Sequence, residues 1–298
     1  GIKDDFFKIG GNSILAIKLV STINKKFKSK ISVADIFRLK RISDLIGVFE
    51  NDIQIEKPFN KEISKPKMFF VHPGNAGCEV YQDMAELLKD DYYCIGIDNY
   101  NILYDSKISS LNELANYYIN NSEELLCAIS NNEDISFVGW SLGGQISLEI
   151  ACILESRGLK NIRVYLLDTI LQDDYSRKLN SMVSQDEVIN ELQEIGLKEG
   201  YTRAYIDRVI SAIDSEKRIS NDSLVSNIVY SKVTLLKAMK IEEGKEEDEL
   251  FKYINSLEDN NLESYVSKFD LLKIDADHQS IITKLLEEWD KYKSIFLI

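Results

Sequence analysis

The apolar positions divide the chain by their period. Ile14, Leu15, Ile17, Leu19, Val20, Ile23 and Phe27 recur at helical spacing, and Ser13 stands where a helix cap would. Shorter helical patterns follow near residues 33–38 and 42–50. Residues 1–12, with Asp4-Asp5-Phe6-Phe7 and Gly10-Gly11-Asn12, read as a loop. Three short helices in residues 1–50 predict a small all-α bundle, near the lower size limit for independent folding. Residues 51–66 are polar and aperiodic and hold two of the three prolines, which predicts a linker.

From residue 67 short apolar runs alternate with helical stretches. Met68–Val71, Tyr92–Ile97, Ile135–Val138 and Val164–Leu167 read as strands, with helices near 79–89, 111–129 and 142–157. That alternation predicts a mainly parallel sheet covered on both faces. Between about 170 and 230 the strand signal gives way to polar sequence with helical spacing (VINELQEIGL, YIDRVISAI), which predicts a helical lid. The sheet resumes at Lys232–Ala238 and Phe269–Ile274, and a helix over 279–296 closes the chain. The expected fold is α/β: an α/β-hydrolase sheet with a helical lid over 67–298, preceded by an all-α unit over 1–50.

Charge sharpens that division. Net charge is −13, yet residues 1–50 carry ten Lys/Arg against five Asp/Glu. So acidic a chain is a poor partner for nucleic acid. No apolar run reaches membrane-spanning length and no signal-peptide pattern opens the chain, so a cytoplasmic protein with no membrane partner is expected. Cys78, Cys94, Cys127 and Cys152 lie in apolar segments without a CxxC pair, which predicts buried, reduced thiols. His72 and His278 are the only histidines, so no metal centre is expected. The acidic run over 242–249 reads as a solvated surface segment.

The chemistry gathers around Gly139-Trp140-Ser141-Leu142-Gly143, a G-x-S-x-G pattern. The bare pattern arises by composition in roughly one chain in ten of this length. Its setting is far more specific, because the apolar strand ISFV leads into it and a helical pattern starts directly after. Ser141 at such a strand-to-helix turn is the expected nucleophile. The triad order on this fold is Ser, Asp or Glu, His, which leaves His278 as the base, since His72 precedes Ser141. Asp168 ends a strand 27 residues after Ser141 and is the expected acid; Asp275 and Asp277 stand too close in sequence to reach behind the His278 ring. The Leu142 N–H and an N–H of the loop His72-Pro73-Gly74-Asn75-Ala76-Gly77 should form the oxyanion hole, with Gly74 first and Asn75 second as donor.

Asp5-Phe6-Phe7-Lys8-Ile9-Gly10-Gly11-Asn12-Ser13 resembles the modification site of peptidyl carrier proteins, and that resemblance implies a covalent 4′-phosphopantetheine on Ser13. A carrier followed by a hydrolase resembles the C-terminal carrier–type I thioesterase didomain of a nonribosomal peptide synthetase. The HPG loop, the GWSLGG elbow, an Asp 27 residues on and a late His match that thioesterase family. Family carriers have a helix before the DxFF segment; residues 1–50 start at that segment, so either that helix lies outside residues 1–298 or the carrier is truncated. The resemblance implies release of a peptidyl or acyl chain through an acyl-Ser141 intermediate, ending in hydrolysis or macrocyclisation. It also implies upstream synthetase modules and a phosphopantetheinyl transferase as partners. A general serine esterase or lipase with an unrelated N-terminal module, and an inactive docking unit, stay open as alternatives.

Overall fold

The computed structural model describes residues 1–27, 33–43, 54–198 and 200–297. Its contacts separate Gly1–Gln54 from Ile55–Ile298. In the first unit a run of turns leads into α1 (Ser13–Phe27), followed by α2 (Val33–Leu39). Ala16, Val20 and Ile36 are buried together, with Phe6, Phe7 and Leu19 packed against them. Two glycines make the entry possible. Gly10 has a φ of +104°, and a Cβ on Gly11 would lie 2.4 Å from the Phe6 carbonyl oxygen. The cap of α1 differs from expectation. Asn12 accepts the Leu15 N–H at 3.0 Å, so Ser13 is the first helical residue and not the cap. Of the helix expected over 42–50, residues 44–50 lie outside the described residues.

The second unit holds a seven-stranded sheet in the order β1-β3-β2-β4-β5-β6-β7. The strands are β1 (Glu56–Pro58), β2 (Lys67–Val71), β3 (Tyr93–Ile97), β4 (Ile135–Trp140), β5 (Ile162–Leu167), β6 (Ile228–Ala238) and β7 (Val266–Ile274). All neighbours are parallel except β1, which runs antiparallel to β3. β2 explains the two covered faces. Met68 and Phe70 point to one apolar layer, Phe69 and Val71 to the other, and all four are fully buried. Each such side chain contributes about 2 kcal/mol by leaving water. After a short 3-10 turn (Cys78–Tyr81), α3 (Gln82–Leu88) covers the first layer with α12 (Ile281–Glu287) and α13 (Trp289–Phe296). The other is covered by α5 (Leu111–Asn121), α6 (Glu123–Ser130) and α7 (Leu142–Ser156), with the short α4 (Tyr100–Leu103) at its margin.

Four sequence expectations are corrected here. Residues 56–58 of the expected linker belong to the sheet: Ile55 is buried beside them, β1 pairs with β3, and Glu56 accepts hydrogen bonds from Ser122 Oγ and the Glu124 N–H. An edge strand of three residues tolerates Pro58 and shows no alternation, so it reads as linker. The helix expected over 111–129 breaks at Ser122, whose hydroxyl accepts the Leu125 N–H and starts α6; the closing helix breaks at Glu288. Cys127 is exposed, whereas Cys78, Cys94 and Cys152 are buried; all four are free thiols.

Between β5 and β6 lie α8 (Asp174–Met182), α9 (Gln185–Lys198) and α10 (Arg203–Asn221), the helical insertion expected over 170–230. A second insertion, between β6 and β7, carries α11 (Glu249–Ser256), whose Tyr253 packs on Tyr175 of α8 with ring centroids 4.8 Å apart.

The tightest point of the fold is the start of α7. A Cβ on Gly143 would lie 2.3 Å from the Val71 carbonyl oxygen and 2.6 Å from that of His72. Backbone atoms cannot yield there as a flexible side chain would. Gly143→Ala should therefore destabilise the protein by about 3 kcal/mol in a urea titration; a variant of wild-type stability would contradict this packing.

Candidate active site

β4 delivers Trp140 and Ser141 to the sheet edge from which α7 departs. Ser141 has φ 54° and ψ −122°, a strained conformation for a residue with a side chain. The surroundings hold it there. The Ser141 N–H donates to the Leu167 carbonyl at 3.0 Å, and Thr169 Oγ1 donates to the Ser141 carbonyl at 3.1 Å. Tyr81 ties the neighbouring strands together, since its hydroxyl accepts the Trp140 N–H at 2.7 Å and donates to the Val71 carbonyl at 2.9 Å. Among the described residues Ser141 Oγ has no hydrogen-bond partner.

Asp168 follows β5 and His278 follows β7, and the two meet across the end of β6. Nδ1 of His278 lies 2.8 Å from Asp168 Oδ2. A carboxylate only accepts, so Nδ1 carries the proton and Nε2 is left with a lone pair. The other Asp168 oxygen accepts from the Ala238 N–H at 3.0 Å and from Asn260 Nδ2 at 3.3 Å. Burial alone would raise the Asp168 pKa; the hydrogen bond and charge of His278, with the Ala238 N–H and Lys237, hold it below the ordinary carboxylate value. Trp140 fixes the other side of the His278 loop, donating Nε1–H to the His278 carbonyl at 3.1 Å. The two rival carboxylates are engaged elsewhere: Asp275 pairs with Lys240 at 2.9 Å, and Asp277 accepts the Ser280 N–H at 2.8 Å.

Gly74 and Leu142 face each other across the cavity floor. A Cβ on Gly74 would lie 3.7 Å from Leu142 Cβ. Leu142 opens α7, so its N–H has no acceptor within the helix, and among the described residues neither the Leu142 nor the Gly74 N–H is paired. Asn75, the second candidate donor, is already used: its N–H donates to Glu216 Oε2 at 2.7 Å. His72 is also withdrawn from chemistry. It is fully buried, its Nδ1 lies 2.7 Å from the Pro73 carbonyl and its Nε2 2.7 Å from the Tyr118 hydroxyl, and burial lowers its pKa to about 4.

Ser141, Asp168, His278, Gly74 and Leu142 all line one cavity of about 870 Å³. The two insertions roof it with apolar side chains such as Val188, Leu192, Val209, Ile213 and Phe251. Glu242 lines it too, and burial raises its pKa, so the acidic run over 242–249 is not wholly the solvated segment expected. No sequence pattern points to Lys237 and Asn260. Lys237 Nζ, buried, donates to Asn260 Oδ1 at 2.6 Å, and Asn260 Nδ2 donates to the Thr169 carbonyl and to Asp168. A lysine at the end of β6 and an asparagine in the turn after α11 carry no local signature. Among the described residues no group of three or more His, Cys, Asp or Glu side chains could hold a metal, and no helix is long and apolar enough to cross a membrane.

In the first unit Ser13 is exposed at the N-terminus of α1, and among the described residues its hydroxyl has no partner. Unpaired N–H groups and the positive end of a fifteen-residue helix suit an attached phosphodiester, so these residues fit a phosphopantetheine arm.

Residues 66–291 match the Thioesterase domain family. The chain belongs to that family. Ahead of the thioesterase domain, residues 1–49 match the phosphopantetheine attachment site family, so covalent 4′-phosphopantetheine is the cofactor of the N-terminal unit. A dimodular nonribosomal peptide synthase of Bacillus subtilis (strain 168) is 25% identical over 174 residues, which are 56% of this chain and 7% of that protein. The chain thus spans a small fraction of the relative's length. A four-domain nonribosomal peptide synthetase bound to AMP and glycine superposes with a TM-score of 0.59 at 18% identity, covering 100% of this chain and 25% of that one. The NocB thioesterase domain, in covalent complex with a fluorophosphonate nocardicin G analogue, gives 0.57 at 18% identity, covering 78% and 93%. At these identities the two superpositions establish the fold. The expected α/β-hydrolase fold after a carrier is thereby met, and the N-terminal match disfavours an esterase with an unrelated leading module.

Asn260 offers a test of the network behind the thioesterase dyad. Asn260→Ala strips Lys237 of its hydrogen-bond acceptor and Asp168 of one donor. A loss of about 2–3 kcal/mol in urea unfolding is expected; a neutral substitution would show that the network contributes nothing.

Proposed function

We propose that this thioesterase releases a peptidyl or acyl chain from a phosphopantetheine thioester through a Ser141–His278–Asp168 triad. The observation that carries the reading is the 2.8 Å contact of His278 Nδ1 with Asp168 Oδ2 in the cavity that also holds the strained Ser141 elbow. The arm, attached at Ser13, supplies a thiol on which the chain is held as a thioester.

His278 Nε2 takes the proton of Ser141 Oγ as Oγ attacks the thioester carbonyl carbon. The Gly74 and Leu142 N–H groups hold the oxyanion, aided by the N-terminus of α7. When the C–S bond breaks, His278 returns the proton to the departing sulfur and the chain remains on Ser141 as an ester. His278 then takes a proton from the second nucleophile as it attacks the ester carbonyl, and returns that proton to Ser141 Oγ when the ester C–O bond breaks, which frees Ser141. Water gives a linear acid; an amine or hydroxyl of the chain itself gives a macrocycle. Asp168 stabilises the His278 cation in both steps, and its low pKa keeps it an acceptor at neutral pH. The apolar roof of the cavity supports selection of the chain and exclusion of bulk water. Upstream synthetase modules supply the chain, and a phosphopantetheinyl transferase installs the arm.

Two measurements test the assignments separately. A fluorophosphonate should label the wild type stoichiometrically and leave Ser141→Ala unlabelled; label retained by that variant would remove Ser141 from its role. A phosphopantetheinyl transferase with coenzyme A should raise the intact mass of the wild type by one phosphopantetheine and leave Ser13→Ala unchanged. An unchanged wild-type mass would refute the attachment site.

A further inference from the structure

The triad does not use Glu216, yet this residue of the roofing helix α10 reaches out of its own helix to the oxyanion loop. It is 5% exposed, and both of its oxygens serve groups outside α10. Oε2 accepts the Asn75 N–H at 2.7 Å, and Oε1 accepts Asn99 Nδ2 at 2.7 Å. The Asn75 N–H belongs to the peptide plane that begins at Gly74, so this bond restrains the rotation of that plane about Gly74 and with it the turn that carries the Gly74 N–H. A Cβ on Gly74 would lie 3.6 Å from Glu216 Oε2 and 3.7 Å from Leu142 Cβ. Carboxyl, Gly74 and Leu142 therefore converge at one point of the cavity.

Glycine at 74 has no preferred backbone well of its own, so the direction of its N–H has to be imposed from outside. α10 does so at two places. Besides Glu216, Tyr205 donates its hydroxyl to Glu79 Oε1 at 2.8 Å, and that oxygen accepts the Gly77 N–H at 3.3 Å. The loop is thus fastened at Asn75 and at Gly77 from a single helix. α10 is itself seated, with Val209 and Ala212 buried against Ile102 of α4. Burial pushes the Glu216 carboxyl up to about 7. A folded carboxyl that binds its proton more tightly than the unfolded one opposes folding as pH rises through that range. Fold stability alone gives no reason to place a carboxyl here.

We propose that Glu216 is a positioning residue of the oxyanion site: its Oε2, with Oε1 braced on Asn99, holds the Gly74–Asn75 peptide from α10, so that the turn through Gly74 keeps its N–H aimed at the reacting oxygen while that helix is seated. The reach of the acceptor oxygens, not the charge, is what the site needs. The proposal rests on Ser141 being the nucleophile.

The test compares two variants of the full chain. Glu216→Asp keeps the charge and is one methylene shorter; Glu216→Gln keeps the length and one acceptor oxygen without the charge. The readout is the second-order rate of fluorophosphonate labelling, because the phosphoryl oxygen takes the oxyanion position, together with the thermal midpoint of each protein. Glu216→Asp should be labelled about tenfold more slowly than wild type, and Glu216→Gln within about threefold of it, at similar midpoints. Equal rates for all three proteins, the reverse order of the two variants, or slowing that merely tracks a fall in midpoint would each overturn the proposal. A wild type that the probe leaves unlabelled would instead contradict the Ser141 assignment on which it rests.

Discussion

The N-terminus of α7 rides against the ends of β2 and β4 at a separation only glycine allows. A Cβ on Gly139 would meet the Gly143 backbone at 2.4 Å, one on Gly143 the Val71 carbonyl at 2.3 Å, and one on Gly144 the Thr169 hydroxyl at 1.8 Å. This close approach forces Ser141 to a positive φ and lifts its side chain to the cavity floor. It also brings the first N–H of α7 next to Gly74. The parallel register of β4 with β5, and of β5 with β6, then sets Asp168 beside the elbow with the Ala238 N–H in reach. Loosening that contact would misplace all of the site residues together.

Around this rigid floor the structure keeps polar groups where burial disfavours them. Desolvation lowers the pKa of Lys237 despite the nearby Asp168 charge, and raises that of Glu216. Each is hydrogen-bonded, Lys237 through Asn260 to Asp168 and Glu216 to Asn75 and Asn99. Buried polar groups of this kind consume stability and are kept where they fix a geometry. One network reaches Asp168 and the other reaches the Gly74–Asn75 loop. Both begin in the segments that follow β5, which is where the chain departs most from regular sheet.

The buried centre of the sheet was the most legible part of the sequence. β2, β3, β4 and β5 are short apolar runs buried on both faces, and period alone locates them to within about two residues. Ser141 and His278 were legible because glycine spacing and the scarcity of histidine restrict the choice. Asp168 was legible from its place at a strand end. β1 was hidden because an exposed edge strand with Pro58 has the composition of a linker. The cap of α1 was misread by one residue, since Asn12 and Ser13 are equally good caps in sequence and only the Leu15 N–H decides. Glu216, Lys237 and Asn260 act across more than twenty residues of sequence, so no local pattern announces them. The family comparisons bear out the resemblance that joined the two units: a phosphopantetheine attachment domain and a thioesterase on one polypeptide.

That union makes acyl transfer from Ser13 to Ser141 the central claim. It is tested most directly by loading the chain with an acyl-coenzyme A through a phosphopantetheinyl transferase, quenching within one turnover, and mapping the acyl mass by peptide. The account predicts that the acyl group passes from the peptide carrying Ser13 to the peptide carrying Ser141, and that in Ser141→Ala it stays on the arm at Ser13. An acyl group lost from the arm at the same rate in wild type and Ser141→Ala, with none found on the Ser141 peptide, would contradict it.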